Sequence, residues 1–210
     1  MTAKKIVVVS AGLSTPSSTR QLADRLAADA VAALGERGVE AEVRTFELRE
    51  LAHDITNHLL LGFAPPKLEE ALDAVASADG LIAVTPIFTT SYAGLFKSFI
   101  DVIDPQALTD LPVLIGATGG TPRHSLAIDY AIRPLFTYLH AVPVTTGVFA
   151  ATSDWGGSDG DGVRSLPDRI FRGAEEFADL VERTDRSQLV NDPFQLDRPF
   201  GHLIGGLAGE

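Results

Sequence analysis

Three short stretches of this chain hold residue types that suit chemistry or ligand binding. SAGLSTPSSTR, residues 10–20, carries Gly12, Pro16 and six hydroxyl side chains and then enters a helical pattern. Amides at that helix start, with Ser17, Ser18 and Thr19, would cradle a phosphate monoester. Arg20 either adds charge there or points to solvent, and the competing reading of the hydroxyls is an ordinary N-cap. TPIFTTSYAGLFKSFID, residues 85–101, leaves an apolar run through Pro86, Phe88, Thr89, Thr90, Ser91 and Tyr92. Pro86 fixes a turn, the amides of Ile87 to Thr90 suit the polar edge of a planar ring, and Phe88 and Tyr92 pack either near that ring or into the core. ATGGTPRH, residues 117–124, offers Thr118, Gly119 and Gly120 as a small loop that lets backbone approach a flat ligand, or else as a simple turn.

The elements around these stretches alternate short β-branched runs with amphipathic segments. KKIVVVS reads as a first strand, followed by a helix from about Ser18 to Leu34. VEAEVRTFEL is a second strand with Val39, Ala41, Val43 and Thr45 on one face. GLIAVT, PVLIGAT and VPVTTGVFA are the third, fourth and fifth strands. Strands that are apolar on every side and separated by helices indicate a parallel sheet covered on both faces. Leu95, Phe96, Phe99, Ile100 and Ile103 recur at helical spacing. HSLAIDYAIRPLFTYLHA follows, with Pro134 predicting a kink or break. LPDRIFRGAEEFADLVER places Ile170, Phe171, Ala174, Phe177 and Val181 inward.

Right-handed crossovers leave two common layouts, a longer dinucleotide-binding sheet or the flavodoxin-like order. The fold class expected is α/β, a flavodoxin-like three-layer α/β/α domain with a five-stranded parallel sheet of order 2-1-3-4-5. In that order ligands bind beyond the strand ends at the switch point between strands one and three. The three unusual loops follow strands one, three and four, where that rule puts them. Residues 1–185 are expected to form the domain and residues 186–210 a C-terminal tail.

Composition narrows the function classes. The chain has 210 residues, 45% hydrophobic and 21% charged, ordinary for one globular domain. It contains no cysteine, which excludes disulfides, thiolate metal sites and thiol nucleophiles. A formal net charge of −11 opposes nucleic acid and anionic membranes, so an anionic cofactor must bind through local donors. No run reaches the ~20 apolar residues of a membrane span, and MTAKKIVVVS lacks a signal-peptide pattern, so a cytoplasmic location is expected. His53, His58, His124, His140 and His202 show no ligand spacing, and SDGDG lacks the alternating ligands of a calcium loop; no metal site is expected. That Gly/Asp-rich loop reads instead as mobile, or as a lid with Trp155 as its apolar handle. The chain has neither G-x-G-x-x-G nor a Walker lysine motif.

A phosphate cradle, a ring-edge loop and a glycine platform at one sheet end describe a flavin mononucleotide (FMN) site. The same residues carry a resemblance: VSAGLSTPSSTR, TPIFTTSYAGLFKSFID and ATGGTPRHSLAIDYAIRPLF resemble the NADPH-dependent FMN reductase family over roughly residues 4 to 150. The resemblance implies that Ser10, Gly12, Ser17, Ser18 and Thr19 hold the FMN phosphate. It implies that Pro86, Ile87, Phe88, Thr89, Thr90, Ser91 and Tyr92 contact the isoalloxazine, together with Thr118, Gly119 and Gly120. Phe88 stands where the family usually has tyrosine, and AGLST replaces a segment in which relatives carry an arginine beside the phosphate. The resemblance also implies homodimers or homotetramers, with Asp129-Tyr130-Ala131 similar to segments used in subunit contacts; the other reading of Tyr130 is a core residue.

The expected activity is hydride transfer from NADPH or NADH to flavin N5, with reduced FMN passed to a partner flavin-dependent monooxygenase. Such chemistry needs orientation and electrostatics more than acid–base groups, so no catalytic acid, base or nucleophile is assigned. Arg123 and His124 either help hold NADPH phosphates or are plain surface charge. The alternatives are an FMN-containing quinone or azo-dye reductase, a non-enzymatic flavodoxin-type electron carrier, and a degenerate nucleotide-binding protein.

Overall fold

Lys4–Ser10 forms β1, and its five C-terminal residues are buried because helices cover both faces of the strand. The computed structural model describes residues 3–156 and 164–186. α1 (Ser18–Glu36) returns the chain to β2 (Ala41–Glu47), an edge strand whose exposure alternates along its length. β3 (Gly80–Phe88) and β5 (Pro112–Gly119) are buried almost throughout, as their unbroken apolar runs require. β4 (Ser91–Tyr92) folds back antiparallel on β3. The parallel path runs β2-β1-β3-β5-β6, where β6 is Val142–Pro143, and β7 (Val148–Ala151) also pairs with β5.

The expected flavodoxin-like class holds, but strand count and order differ slightly from five strands in the order 2-1-3-4-5, because β4 turns back on β3 and both β6 and β7 pair with β5. The fifth strand is two pieces, each paired in parallel with a different end of β5. Between them, the amide and hydroxyl of Thr146 both donate to the Glu176 carboxylate at 2.7 Å, so that backbone is taken from the ladder by a helix side chain. Burial pushes the Glu176 pKa up, but the bonds from Thr146 and Arg172 outweigh it and hold the group below its ordinary 4.5.

Two layers of helix complete the domain. α1 and α6 (Leu166–Arg183) cover one face, packing Leu22, Leu26, Ile170 and Phe177 against Ile6, Val8, Ile82 and Leu114. The other face takes α2 (Ala52–Leu61), α3 (Pro66–Ala76), α4 (Gly94–Val102) and α5 (Arg133–Tyr138), which contribute Ile55, Leu68, Phe96, Phe99 and Phe136. The strand-two to strand-three connection thus holds two helices that the periodicity reading left unassigned. Phe171 departs from expectation: Ile170 takes the inward position and Phe171 is 60% exposed.

The predicted break at Pro134 is present. Pro134 has no amide to donate, and residues Ile128–Ile132 widen into a π-helical turn, with the Arg133 amide bonding Ile128 O. The Arg133 guanidinium then donates to Val144 O and Thr145 O, tying this turn to the gap between β6 and β7. At the chain's described end, Arg186 donates to the carbonyls of Ala78, Ala107 and Thr109, and burial pulls its pKa down.

Candidate functional site

Side-chain alternation decides which way each strand end faces. Ile6 and Val8 point to the α1 layer and Val7 and Val9 away from it, so Ser10 belongs to the α1 face. The same period carries Leu114 to Thr118 on β5. Thr118 and Thr19, at the start of α1, meet there in a buried hydroxyl–hydroxyl bond of 2.8 Å. The loops after β1 and β5 are thereby joined. Ser10 is 1% exposed, and its Oγ has no hydrogen-bond partner among the described residues.

The first loop is tight around Gly12. A Cβ at that position would stand 2.0 Å from Ser17 Oγ and 3.1 Å from Thr19 Cβ. Ser17 is the N-cap of α1, accepting from the Arg20 amide at 3.2 Å, so the capping role weighed for these hydroxyls is realised at Ser17. Ser18 is exposed, and the Thr15–Pro16 bond is cis.

The second loop is a hairpin. Ile87 pairs with Tyr92 and Phe88 with Ser91, leaving Thr89 and Thr90 as a two-residue turn. Their φ values of 47° and 72° are those of a type I′ turn, a conformation that β-branched residues adopt at a cost of about 1–3 kcal/mol each. Thr85, fully buried, donates to Pro86 O and accepts from the Ala93 amide at 3.1 Å, locking both ends of the hairpin. Pro86 lies beside Thr118 in the β3–β5 register. Phe88 is 49% exposed and so is not core, whereas the Tyr92 ring packs 6.2 Å from Phe96.

The third loop serves two purposes. The space at Gly119 is used from within, since a Cβ there would sit 2.8 Å from the Phe149 ring; Gly120 faces open space. Arg123 and His124 follow in a short 3-10 turn, with Arg123 exposed. Trp155 packs on the α1/α6 side with the Arg25 guanidinium 4.9 Å over its ring. The SDGDG segment lies outside the described residues. Among those described, no group of three or more metal-ligating side chains gathers, and no helix is long and apolar enough to cross a membrane.

Charge beside the first loop comes from neighbours in space. Parallel pairing sets Glu47, the last residue of β2, opposite Ser10. Glu47 Oε1 accepts from Arg20 at 2.8 Å, and its Oε2 lies 3.2 Å from Arg49 Nε. Arg20 also pairs with Asp24 at 2.8 Å; that bond is the main cause of its raised pKa, against the opposing effect of burial. Arg49 reaches across to donate to Thr15 Oγ1 and, at 3.4 Å, to Ser14 O. Thr85, Glu47 and Arg49 were missed by motif reading. For Glu47 the signal lay in strand register; Arg49 acts across more than thirty residues of chain and leaves no local pattern.

Comparisons with known proteins identify the family. A family model described as NADPH-dependent FMN reductase matches residues 4–156. The chain is 40% identical to an FMN reductase (NADPH) of Pseudomonas aeruginosa over 151 residues, 72% of this chain and 78% of the relative. It is 37% identical to the NADH-dependent FMN reductase SfnE of Pseudomonas putida over 149 residues, 71% of this chain and 77% of the relative. An oxidoreductase from Corynebacterium diphtheriae, known by X-ray structure, superposes with a TM-score of 0.82 at 47% identity, covering 87% of this chain and 99% of that one. The match over most of the domain, together with hydroxyl and glycine loops gathered at the strand ends, establishes that the chain belongs to the NADPH-dependent FMN reductase family.

Proposed function

We propose that this chain is a cytoplasmic, homo-oligomeric FMN reductase that releases its reduced flavin to a partner flavin-dependent monooxygenase. The oxidoreductase class and the pairing of FMN with NADPH or NADH follow from family membership. Ser10, Gly12, Ser17, Ser18 and Thr19 are assigned to the phosphate, residues 86–92 to the edge and face of the ring, and Thr118, Gly119 and Gly120 to its underside. The observation that carries this reading is the Ser10 hydroxyl, buried and unpartnered beside the loop that Gly12, Ser17 and Thr19 pack tightly. A buried hydroxyl without a partner costs about 1–3 kcal/mol, which an incoming acceptor oxygen relieves.

Bound FMN supplies the redox chemistry, accepting hydride from the nicotinamide. The chain's part is to bind and orient. Thr19 and Thr118 fix the phosphate loop against the glycine loop. Thr85 holds the hairpin so that its amides stay in place. The exposure of Phe88, Thr89, Thr90 and Gly120 supports release, because the ring end of the site is open where the phosphate end is closed. Exposed Leu126, Tyr130 and Tyr138 on one segment, and Leu60, Leu61 and Phe63 on another, support self-association.

The test is NADPH oxidation by purified protein as FMN is titrated, with NADH in parallel. A rate that rises and saturates with FMN is expected. A tightly bound yellow cofactor with no turnover of added FMN would overturn the release reading in favour of a quinone or azo-dye reductase or an electron carrier. Light scattering on the eluted protein, expected to give a dimer or tetramer, checks the assembly.

A further inference from the structure

Glu47 sits between two cations at the mouth of the first loop, and neither cation belongs to that loop. Arg20 comes from the first turn of α1 and Arg49 from the 3-10 turn Leu48–Glu50 that follows β2. Arg49 is the one whose guanidinium also grips the loop itself, through Thr15 Oγ1 and Ser14 O. Its Nε is buried and, though 3.2 Å from Glu47 Oε2, makes no well-directed hydrogen bond. Ser10 Oγ, buried and unpartnered, lies in register with Glu47 on the adjoining strand. A cation with an unsatisfied donor and a hydroxyl with no partner therefore flank the same loop.

We infer that Arg49 is the phosphate-binding cation of this site, supplied from the end of β2 because the loop contains no arginine, and that Glu47 sets how weakly the phosphate is held. The inference rests on the reading of this loop as the FMN phosphate site. A guanidinium recognises a phosphate monoester through paired, charge-assisted N–H···O bonds. Glu47, with a side chain only 18% exposed, already claims both guanidiniums. An arriving dianion must share them with a carboxylate of its own sign. The carboxylate keeps Arg20 and Arg49 in position when the loop is empty, and it opposes tight binding when the loop is full. That balance suits a flavin that must leave after reduction.

Binding of FMN and of riboflavin, which lacks the phosphate, is the primary readout. Flavin fluorescence or calorimetry is read for the unmodified protein and for Arg49→Met, Arg49→Lys and Glu47→Gln. Arg49→Met is expected to weaken FMN about tenfold, the scale of one charge-assisted pair, while riboflavin stays within about twofold. Arg49→Lys should recover part of the loss. Glu47→Gln should tighten FMN about threefold or more and leave riboflavin unchanged, a gain that misfolding cannot produce. If FMN binds but its ratio to riboflavin is the same in all four proteins, the inference is overturned and the parent reading stands. A change in the KM ratio of NADPH to NADH on Arg49→Met, with FMN binding intact, would instead assign the cation to the nicotinamide cofactor and equally overturn it. Failure of the unmodified protein to bind either flavin overturns the parent reading and this one with it.

Discussion

Replacing Thr89-Thr90 by Asn-Gly should make this protein more stable, although both substitutions fall in a proposed ligand loop. The two threonines have φ values of 47° and 72°, and the flanking pairs Ile87–Tyr92 and Phe88–Ser91 leave no other residue to absorb the turn. Relief at two left-handed, β-branched positions is worth about 1–3 kcal/mol each. Glycine gives back up to ~1 kcal/mol in unfolded-state entropy. A net gain of at least about 1 kcal/mol remains, or a rise of roughly 2–4 °C or more in Tm for a domain of this size. Thermal unfolding followed by circular dichroism reads it directly, and Thr90→Gly alone should give about half the gain. FMN affinity should change by less than about threefold, since the proposed contacts are main-chain amides that the Asn-Gly turn keeps in place. If the hairpin ran through ordinary extended backbone, glycine would instead cost about 0.5–1 kcal/mol. A fall in Tm on Thr90→Gly therefore refutes the strained-turn argument, and a rise in Tm with FMN binding abolished refutes the main-chain reading of the contact.

Gly12→Ala drives a Cβ to within 2.0 Å of Ser17 Oγ, so the cap must be displaced; expected are a loss of about 1 kcal/mol in urea titration and loss of FMN binding by fluorescence. Thr118→Val orphans the buried Thr19 hydroxyl and should cost about 1–3 kcal/mol, while the Thr19→Val/Thr118→Val pair should cost less than the two single changes added together, as a double-mutant cycle would show. Glu176→Gln should destabilise by about 2 kcal/mol at neutral pH through its bonds to Thr146 and Arg172. Because the folded-state pKa of Glu176 lies below its ordinary 4.5, that contribution is present above pH 4.5 and is lost as pH falls through the lower folded value. The difference between the two proteins in denaturant titrations should therefore shrink under acid conditions and stay constant from neutrality down to about pH 5.

The parts of the fold that were legible in sequence are those fixed by local pattern. Continuous apolar runs named β1, β3 and β5, and the switch-point rule singled out the loops at their ends as the candidate site. Pro134 announced the break that became a π-helical turn, because a missing amide acts within one turn of chain. The rest required contacts between distant residues. The fifth strand divides where Thr146 is captured by Glu176, thirty residues away. Thr89 and Thr90 concealed the hairpin turn, since threonine is a residue type that argues against positive φ; only the closure of β4 on β3 forces it. Ser17 and Thr19 look alike in sequence, yet one caps a helix and the other bonds across the sheet to Thr118.

The site also differs from one end to the other in a way that bears on its chemistry. At the proposed phosphate end, Ser10, Gly12, Ser17 and Thr19 are buried and held by a helix cap, a cross-loop bond to Thr118 and β1 itself, while Ser18 is exposed. At the proposed ring end, Phe88, Thr89, Thr90 and Gly120 are exposed, and the hairpin is held by its turn, by Thr85 beneath it and by Tyr92 against Phe96. A chain of net charge −11 cannot attract a flavin phosphate by its overall field, so in the proposed reading that group is recognised at short range, through hydroxyls, amides and the Glu47-restrained Arg49. In the same proposed reading, the open end leaves a face for a nicotinamide to stack on and a way for the ring to depart. Tight geometry with moderated charge at one end and free access at the other is the combination a reductase needs when its flavin is a substrate that must be released.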